Sequence, residues 1–255
     1  MSHRTFPAEV PVIVAHRGAS STHPENTIAA FEAAIALGAP FVEFDVRRTS
    51  DDVPVVIHDP TTDRTAGVPG IVRATTADAL RRLDVGGDGV PQSVPLLDEA
   101  LRCLSARAGA VIEIKNLPGE PDHTPDAEPI VAAVLGALDR TAFVGPVLVV
   151  SFNPASVAAV RSSAADVGTG LLLAGHDDPR PGLALAGRSG HDMVLPGTWG
   201  LLPAGAGFVA EAHALGVRVG TWTVDDAASV RELGGWGIDA IASNDPGMAL
   251  AALAG

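Results

Sequence analysis

The feature that most constrains this chain is a regular alternation of short, strongly apolar runs with amphipathic stretches from residue 10 onward. VPVIVA (10–15) precedes PENTIAAFEAAIALG, in which Ile28, Phe31, Ala34 and Ile35 recur at helical spacing and Gly38 supplies a stop signal. APFVEFDV (39–46) follows, then the helical LLDEALRCLSA and the run AVIEIK (110–115). The cycle continues through VLVVSF (147–152), GTGLLLA (168–174), HDMVLPG, VRVGTW and DAIAS, each followed by a helical pattern. Strands that read as near-continuous apolar runs are buried on both faces, as in a parallel sheet wrapped by helices. About eight strand–helix units in some 250 residues is the size of one (β/α)8 TIM barrel. An α/β barrel spanning 1–255 as a single domain is therefore expected, and no G-x-G-x-x-G follows the first strand to favour an open dinucleotide-binding sheet. Residues 60–96 break the rhythm with TTDRTAGVPG, TADALRRL and GGDGVPQ, so they read as a small insertion after the second strand. VPVVIHD (53–59) is an extended piece standing outside the eight-unit count.

Composition narrows the function classes. Seventeen basic against thirty acidic residues give a net charge of −13, which repels nucleic acid and anionic membranes in the absence of any basic run. Neither a nucleic-acid partner nor stable membrane association is expected. One cysteine, Cys103, leaves no intramolecular disulfide and reads as a small buried residue of a helix. MSHRTFPAEVP has no apolar segment of the secretory kind, and a cytoplasmic location is the expectation.

Active sites of such barrels form where strands end and loops begin. The first strand ends in His16 and Arg17, and VPVVIHD ends in His58 and Asp59. The second strand carries Glu43 and Asp45, two apart and hence on one face; Glu113 and Lys115 repeat that spacing on the next, and Trp222 closes the seventh. Glu43, Asp45 and Glu113 alternate with apolar residues, so a solvated face explains them poorly. Three carboxylates aimed into one mouth repel each other unless a hard divalent cation, Mg2+ or Ca2+, offsets them. Two histidines beside such a site suit proton transfer near neutral pH, and Arg17 with Lys115 supplies positive charge for a phosphoryl group. These residues indicate metal-assisted chemistry on a phosphate ester without identifying the ester.

HRG followed by PENT, then VEFDV, PVVIHD with DRT behind it, VPLLDEAL, EIK, SF at 151–152, TWTVDD and DAIASNDP together resemble the glycerophosphodiester phosphodiesterases along nearly the whole chain. The resemblance implies His16 and His58 as the acid–base pair, and Glu43, Asp45 and Glu113 as ligands of one divalent cation, Mg2+ or Ca2+. It implies Arg17 and Lys115 as phosphate-binding residues and Trp222 as the aromatic wall near the glycerol. The implied reaction converts a small glycerophosphodiester to sn-glycerol 3-phosphate and an alcohol. In one route the glycerol 2-hydroxyl attacks phosphorus while one histidine takes its proton and the other gives one to the leaving alkoxide, and water then opens the cyclic product; the residues do not assign which histidine does which.

Two other functions fit the same pattern: a lysophospholipase D or sphingomyelinase D-like enzyme acting on lipid, and a non-catalytic barrel that binds phosphodiesters. The sparse large apolar residues of 60–96 and the lack of tyrosine favour a soluble substrate, and retention of every acid and histidine favours catalysis. Asp52 stands where the family has a turn glycine, and Asn244 precedes Asp245 in the last loop, where many members of the family place T-D directly. Glu25 and Asn26 are read as the start of the first helix. His23 and Trp199 have no assigned role, and His123, His176, His191 and His213 are expected at the surface.

Overall fold

The computed structural model describes residues 11–87, 89–125, 128–175 and 178–254. Its nine strands are β1 (Val12–His16), β2 (Phe41–Arg48), β3 (Pro54–Val56), β4 (Gly109–Ile114) and β5 (Val147–Ser151), followed by β6 (Gly168–Leu173), β7 (Met193–Pro196), β8 (Arg218–Thr221) and β9 (Ala240–Ser243). Eight of them run parallel in the order β1-β9-β8-β7-β6-β5-β4-β2, and the β1–β2 pairing closes the ring. This is the (β/α)8 barrel that the alternation required.

Period-two alternation is visible in where side chains go. On β2, Val42, Phe44 and Val46 pack outward against Phe31, Leu101 and Leu104 of the surrounding helices, with Phe31 and Phe44 rings 5.6 Å apart. Phe41 joins Val14, Val111, Leu148 and Met193 in the barrel interior. Glu43 and Asp45 share Phe41's face and so project into the barrel. On β4, Ala110, Ile112 and Ile114 face outward while Val111 and Glu113 face in.

β3 explains the extended piece that falls outside the eight units. β2 runs past the rim, turns at 49–53, and pairs antiparallel with β3, Val46 opposite Val56. The Thr49 hydroxyl closes that turn by donating to the Val53 carbonyl and accepting from its amide, at 3.0 Å each. Asp52 occupies the left-handed region (φ 61°), a conformation that Asp tolerates better than most residues, so the missing glycine is accommodated. Because β3 runs back, the Ile57 amide donates to the Asp45 carbonyl (3.0 Å), which returns His58 to the level of the carboxylates.

The first loop requires its glycine. Gly18 lies at φ 82°, and a Cβ there would come within 2.6 Å of the Ala30 backbone. The helix begins at Ile28, capped by the Thr27 hydroxyl, so Glu25 and Asn26 precede it and are free to do something else. Between 60 and 96 the chain forms the short helices Asp63–Ala66 and Ala77–Leu80 and a 3-10 turn, Val72–Ala74, over a small core of Val55, Ile57, Val72, Leu80 and Val94. Among the described residues no helix is long and apolar enough to cross a membrane.

Candidate active site

Strand register assembles the acids. His16 lies opposite Glu43 across β1–β2, and Asp45 opposite Glu113 across β2–β4. One carboxylate oxygen from each of Glu43, Asp45 and Glu113 falls within a group no more than 4.8 Å across, and all three residues are buried. Lys115 Nζ lies 2.6 Å from Glu113 Oε1 and 3.1 Å from Asp45 Oδ1; Arg17 Nε lies 3.3 Å from Asp45 Oδ2. Glu43 Oε2 accepts from the Arg17 amide at 2.9 Å, in a backbone held at φ 57°, while Glu43 Oε1 has no hydrogen-bond partner among the described residues.

Burial first, then repulsion from Asp45, pushes the Glu43 carboxyl up to about 8. Glu113 is likewise pushed up to about 8, burial leading and Lys115 only partly opposing it. Burial acts on Asp45 too, but the Lys115 ammonium and Arg17 guanidinium hold it well below the usual carboxylate range. An all-oxygen donor set, one oxygen of it unpartnered and two carboxyls straining against their charge, suits a hard cation such as Mg2+ or Ca2+.

The histidines are oriented from behind. His16 Nδ1 is 2.8 Å from Asn244 Oδ1, and Asn244 Nδ2 is itself given to Asp225 Oδ2 at 2.6 Å. An amide oxygen only accepts, so His16 carries its proton on Nδ1 and leaves Nε2 available. His58 Nδ1 donates to Asp59 Oδ1 at 2.6 Å with the same consequence. Burial lowers both imidazoles, reinforced at His16 by Arg17 and at His58 by Lys115 and Arg17. Both rings are therefore held toward the neutral form.

A cavity of about 310 Å³ contains His16, Arg17, Glu43, His58, Glu113, Lys115 and Trp222 in its lining; Asp45 lies directly behind, fully buried. Its inner half is apolar, from Leu148, Val150, Leu172, Met193 and Leu195. The structure thus brings all eight sequence-predicted residues to one place. Trp222 is fixed by its indole N–H to the Leu195 carbonyl (3.0 Å) and meets Phe152 and Trp199 edge-to-face at 5.3 and 5.2 Å.

Several residues carry more than the sequence suggested. Asn26 is not part of a helix start: it is buried at φ 58°, donates to Asp45 Oδ2 (2.7 Å) and accepts from the Asp45 amide (3.2 Å). Glu25 likewise belongs to the site, accepting from Arg17 Nη1 at 3.0 Å. Trp199 extends the aromatic wall from the short helix Thr198–Ala204 that follows β7. His191 is buried and contacts the Thr169 hydroxyl at 3.2 Å, correcting its expected surface position, because the turn before β7 folds under the barrel. His213 is partly exposed and paired with Asp239 at 2.7 Å, His123 contacts Asn116, and His176 lies outside the described residues. The His23 ring contacts the Thr22 hydroxyl at 2.9 Å, outside the cavity lining.

Residues 16–248 match the model of the glycerophosphoryl diester phosphodiesterase family. The chain belongs to that family. A glycerophosphodiester phosphodiesterase of Caldanaerobacter subterraneus subsp. tengcongensis is 32% identical over 92% of this chain and 94% of its own. The structure is similar to that of an Oleispira antarctica phosphodiesterase in complex with the product sn-glycerol-3-phosphate, with TM-score 0.86 and 25% identity, covering 96% of this chain and 98% of that one. It is similar also to the glycerophosphodiester phosphodiesterase of Agrobacterium tumefaciens, with TM-score 0.79 and 28% identity, covering 96% of this chain and all of that one. The chain is accordingly an enzyme of the phosphoric diester hydrolase class.

Proposed function

We propose that this enzyme cleaves small glycerophosphodiesters to sn-glycerol 3-phosphate and an alcohol, using one divalent cation, Mg2+ or Ca2+, with His16 and His58 as the proton-transfer pair. The observation that carries this reading is the convergence of three buried carboxylate oxygens within 4.8 Å of one another with two histidines in the same cavity wall. Glu43, Asp45 and Glu113 would hold the cation. When bound, it supplies charge neutralisation and Lewis acidity at the ester oxygens.

The chain's own residues do the rest. Arg17 and Lys115 meet the negative charge of the phosphoryl group, and their pairing with Asp45 keeps them in place before substrate arrives. Each imidazole offers Nε2 to the cavity, one, neutral, to accept a proton from the attacking glycerol hydroxyl and the other, in its protonated form, to give one to the leaving alkoxide; water then opens the cyclic phosphate with the two proton transfers reversed. The Trp222 face and the apolar side chains beneath it shape the wall against which the glycerol carbons rest. Residues 1–255 are read as one catalytic domain, with 60–96 as an insertion that contributes to the rim.

The cavity volume favours a small substrate over a lipid, since about 310 Å³ lies at the lower end of ligand pockets. Its apolar inner half is the feature that would favour a lysophospholipid instead. Chelation followed by readdition of Mg2+ or Ca2+, with a panel of glycerophosphodiesters and lysophosphatidylcholine as substrates, tests the reading. Loss and recovery of turnover on the water-soluble diesters is the expected result; turnover confined to the lipid, or indifferent to chelation, would overturn it.

A further inference from the structure

DRT at 63–65 is part of the family resemblance, yet no role in cation or substrate binding falls to it. Arg64 does not line the cavity. Its guanidinium nevertheless makes three hydrogen bonds to two acids that do hold cavity residues. Nε donates to Asp59 Oδ2 at 2.5 Å, while Nη1 and Nη2 grip Glu25 Oε2 and Oε1 at 2.9 and 2.7 Å. The opposite oxygen of Asp59 receives His58 Nδ1, and Glu25 Oε1 also receives Arg17 Nη1. One side chain thereby closes a continuous chain of contacts, His58–Asp59–Arg64–Glu25–Arg17, around the rim from proton-transfer group to phosphate ligand.

The segment that bears Arg64 is itself tied down. Thr61 bridges Ile71, the Thr62 amide donates to the Gly70 carbonyl at 3.0 Å, and the Thr62 hydroxyl donates to the Val68 carbonyl at 2.5 Å. Gly67 at φ 65° ends the short helix. Arg64 is half exposed, and ion pairs that exposed add little to fold stability, so a purely structural reason for three aligned bonds is weak. A planar five-donor fork can hold two carboxylates at once; a lysine ammonium at the same site cannot reproduce that geometry.

We infer that Arg64 is a positioning residue: it fixes Asp59, and through it the His58 tautomer, while sharing Glu25 with Arg17 so that Arg17 stays directed at the phosphoryl site. The inference rests on the reaction proposed above. Without Arg64, Asp59 can swing toward solvent and the His58 Nδ1–H loses its fixed acceptor, which lowers kcat. Glu25, relieved of its second guanidinium, draws Arg17 to itself, which raises KM.

The test compares wild type, Arg64→Ala, Arg64→Lys, Asp59→Asn, Glu25→Gln and the Ala double variants. Three readouts are kcat and KM on sn-glycero-3-phosphocholine, thermal melting, and the 15N spectrum of the His58 ring. Expected for Arg64→Ala are a melting point close to wild type, a fall in kcat/KM of at least tenfold shared between kcat and KM, and a His58 signal moving from one tautomer to a mixture. Arg64→Lys should recover only part of the loss, added guanidinium should restore some of the Ala variant's turnover, and Arg64→Ala should add little to the kcat loss of Asp59→Asn or to the KM rise of Glu25→Gln. Kinetics within twofold of wild type, or a kcat loss fully additive with that of Asp59→Asn, would overturn the inference. The ring spectrum needs no turnover: an inactive wild type contradicts the proposed reaction, and an unchanged His58 tautomer in Arg64→Ala contradicts the positioning role separately.

Discussion

Binding of Mg2+ or Ca2+ should weaken steeply as pH falls from 8 to 6, because cation and protons compete for the same buried oxygens. Glu43 and Glu113 are both pushed up to about 8 by burial and by their acidic neighbours, so the cation-free protein carries protons there near neutrality. A cation must displace them. At pH 6, two units below that value, releasing one proton costs about 3 kcal/mol, a factor of about a hundred in affinity. If both carboxyls give up protons, the loss steepens toward two powers of ten per pH unit. The sign for stability follows from the same shifts. The folded-state pKa lies above the unfolded carboxyl value, so the cation-free fold loses stability as pH rises from about 4.5 to about 8. A saturating cation removes that loss and should raise the melting point more at pH 8 than at pH 6. Calorimetric titration in buffers of differing ionisation enthalpy measures both affinity and protons released. An affinity unchanged between pH 6 and pH 8, with no protons released, would refute the reasoning.

Two further outcomes follow from named contacts. His16→Ala and His58→Ala should each reduce kcat by about a hundredfold or more with the circular dichroism spectrum and melting point retained, as expected for removing a proton-transfer group; a variant within tenfold of wild type would remove that histidine from the pair. Gly18→Ala should lower the melting point markedly, since it combines a Cβ 2.6 Å from the Ala30 backbone with φ 82°, a penalty on the order of 2–4 kcal/mol; an unchanged melting point would show that the first loop can shift away from the helix.

The barrel and its acids were legible because both depend on local rules. Strands buried on two faces read as apolar runs, and a charged residue repeating at period two inside such a run, as Glu43 and Asp45 do, has only the barrel interior to face. Residues that orient others were not legible in the same way. Asn26 finds Asp45 across 19 positions and Asn244 finds His16 across 228, and the second contact exists only because β9 pairs with β1 in the ring. Glu25 looked like a helix-start acid because that reading suits its place after Pro24; its partners, Arg17 and Arg64, come from the strand end behind it and the segment beyond β3. His58 was recognisable, but not the hairpin that delivers it, since only the register of β2 with β3 shows that β2 overshoots the rim. His191 was misread because a polar turn residue at the N-terminal end of a barrel strand can tuck under the barrel as readily as face water.

The central claim is that the site breaks the phosphodiester on the side of the alcohol and keeps phosphate on the glycerol. Following sn-glycero-3-phosphocholine by 31P NMR with cation-replete enzyme tests this directly. The expected outcome is loss of the diester signal and growth of a single product signal belonging to sn-glycerol 3-phosphate, absent when Glu43→Gln replaces wild type. Phosphocholine as the product, or a diester signal that persists with wild type, would contradict it.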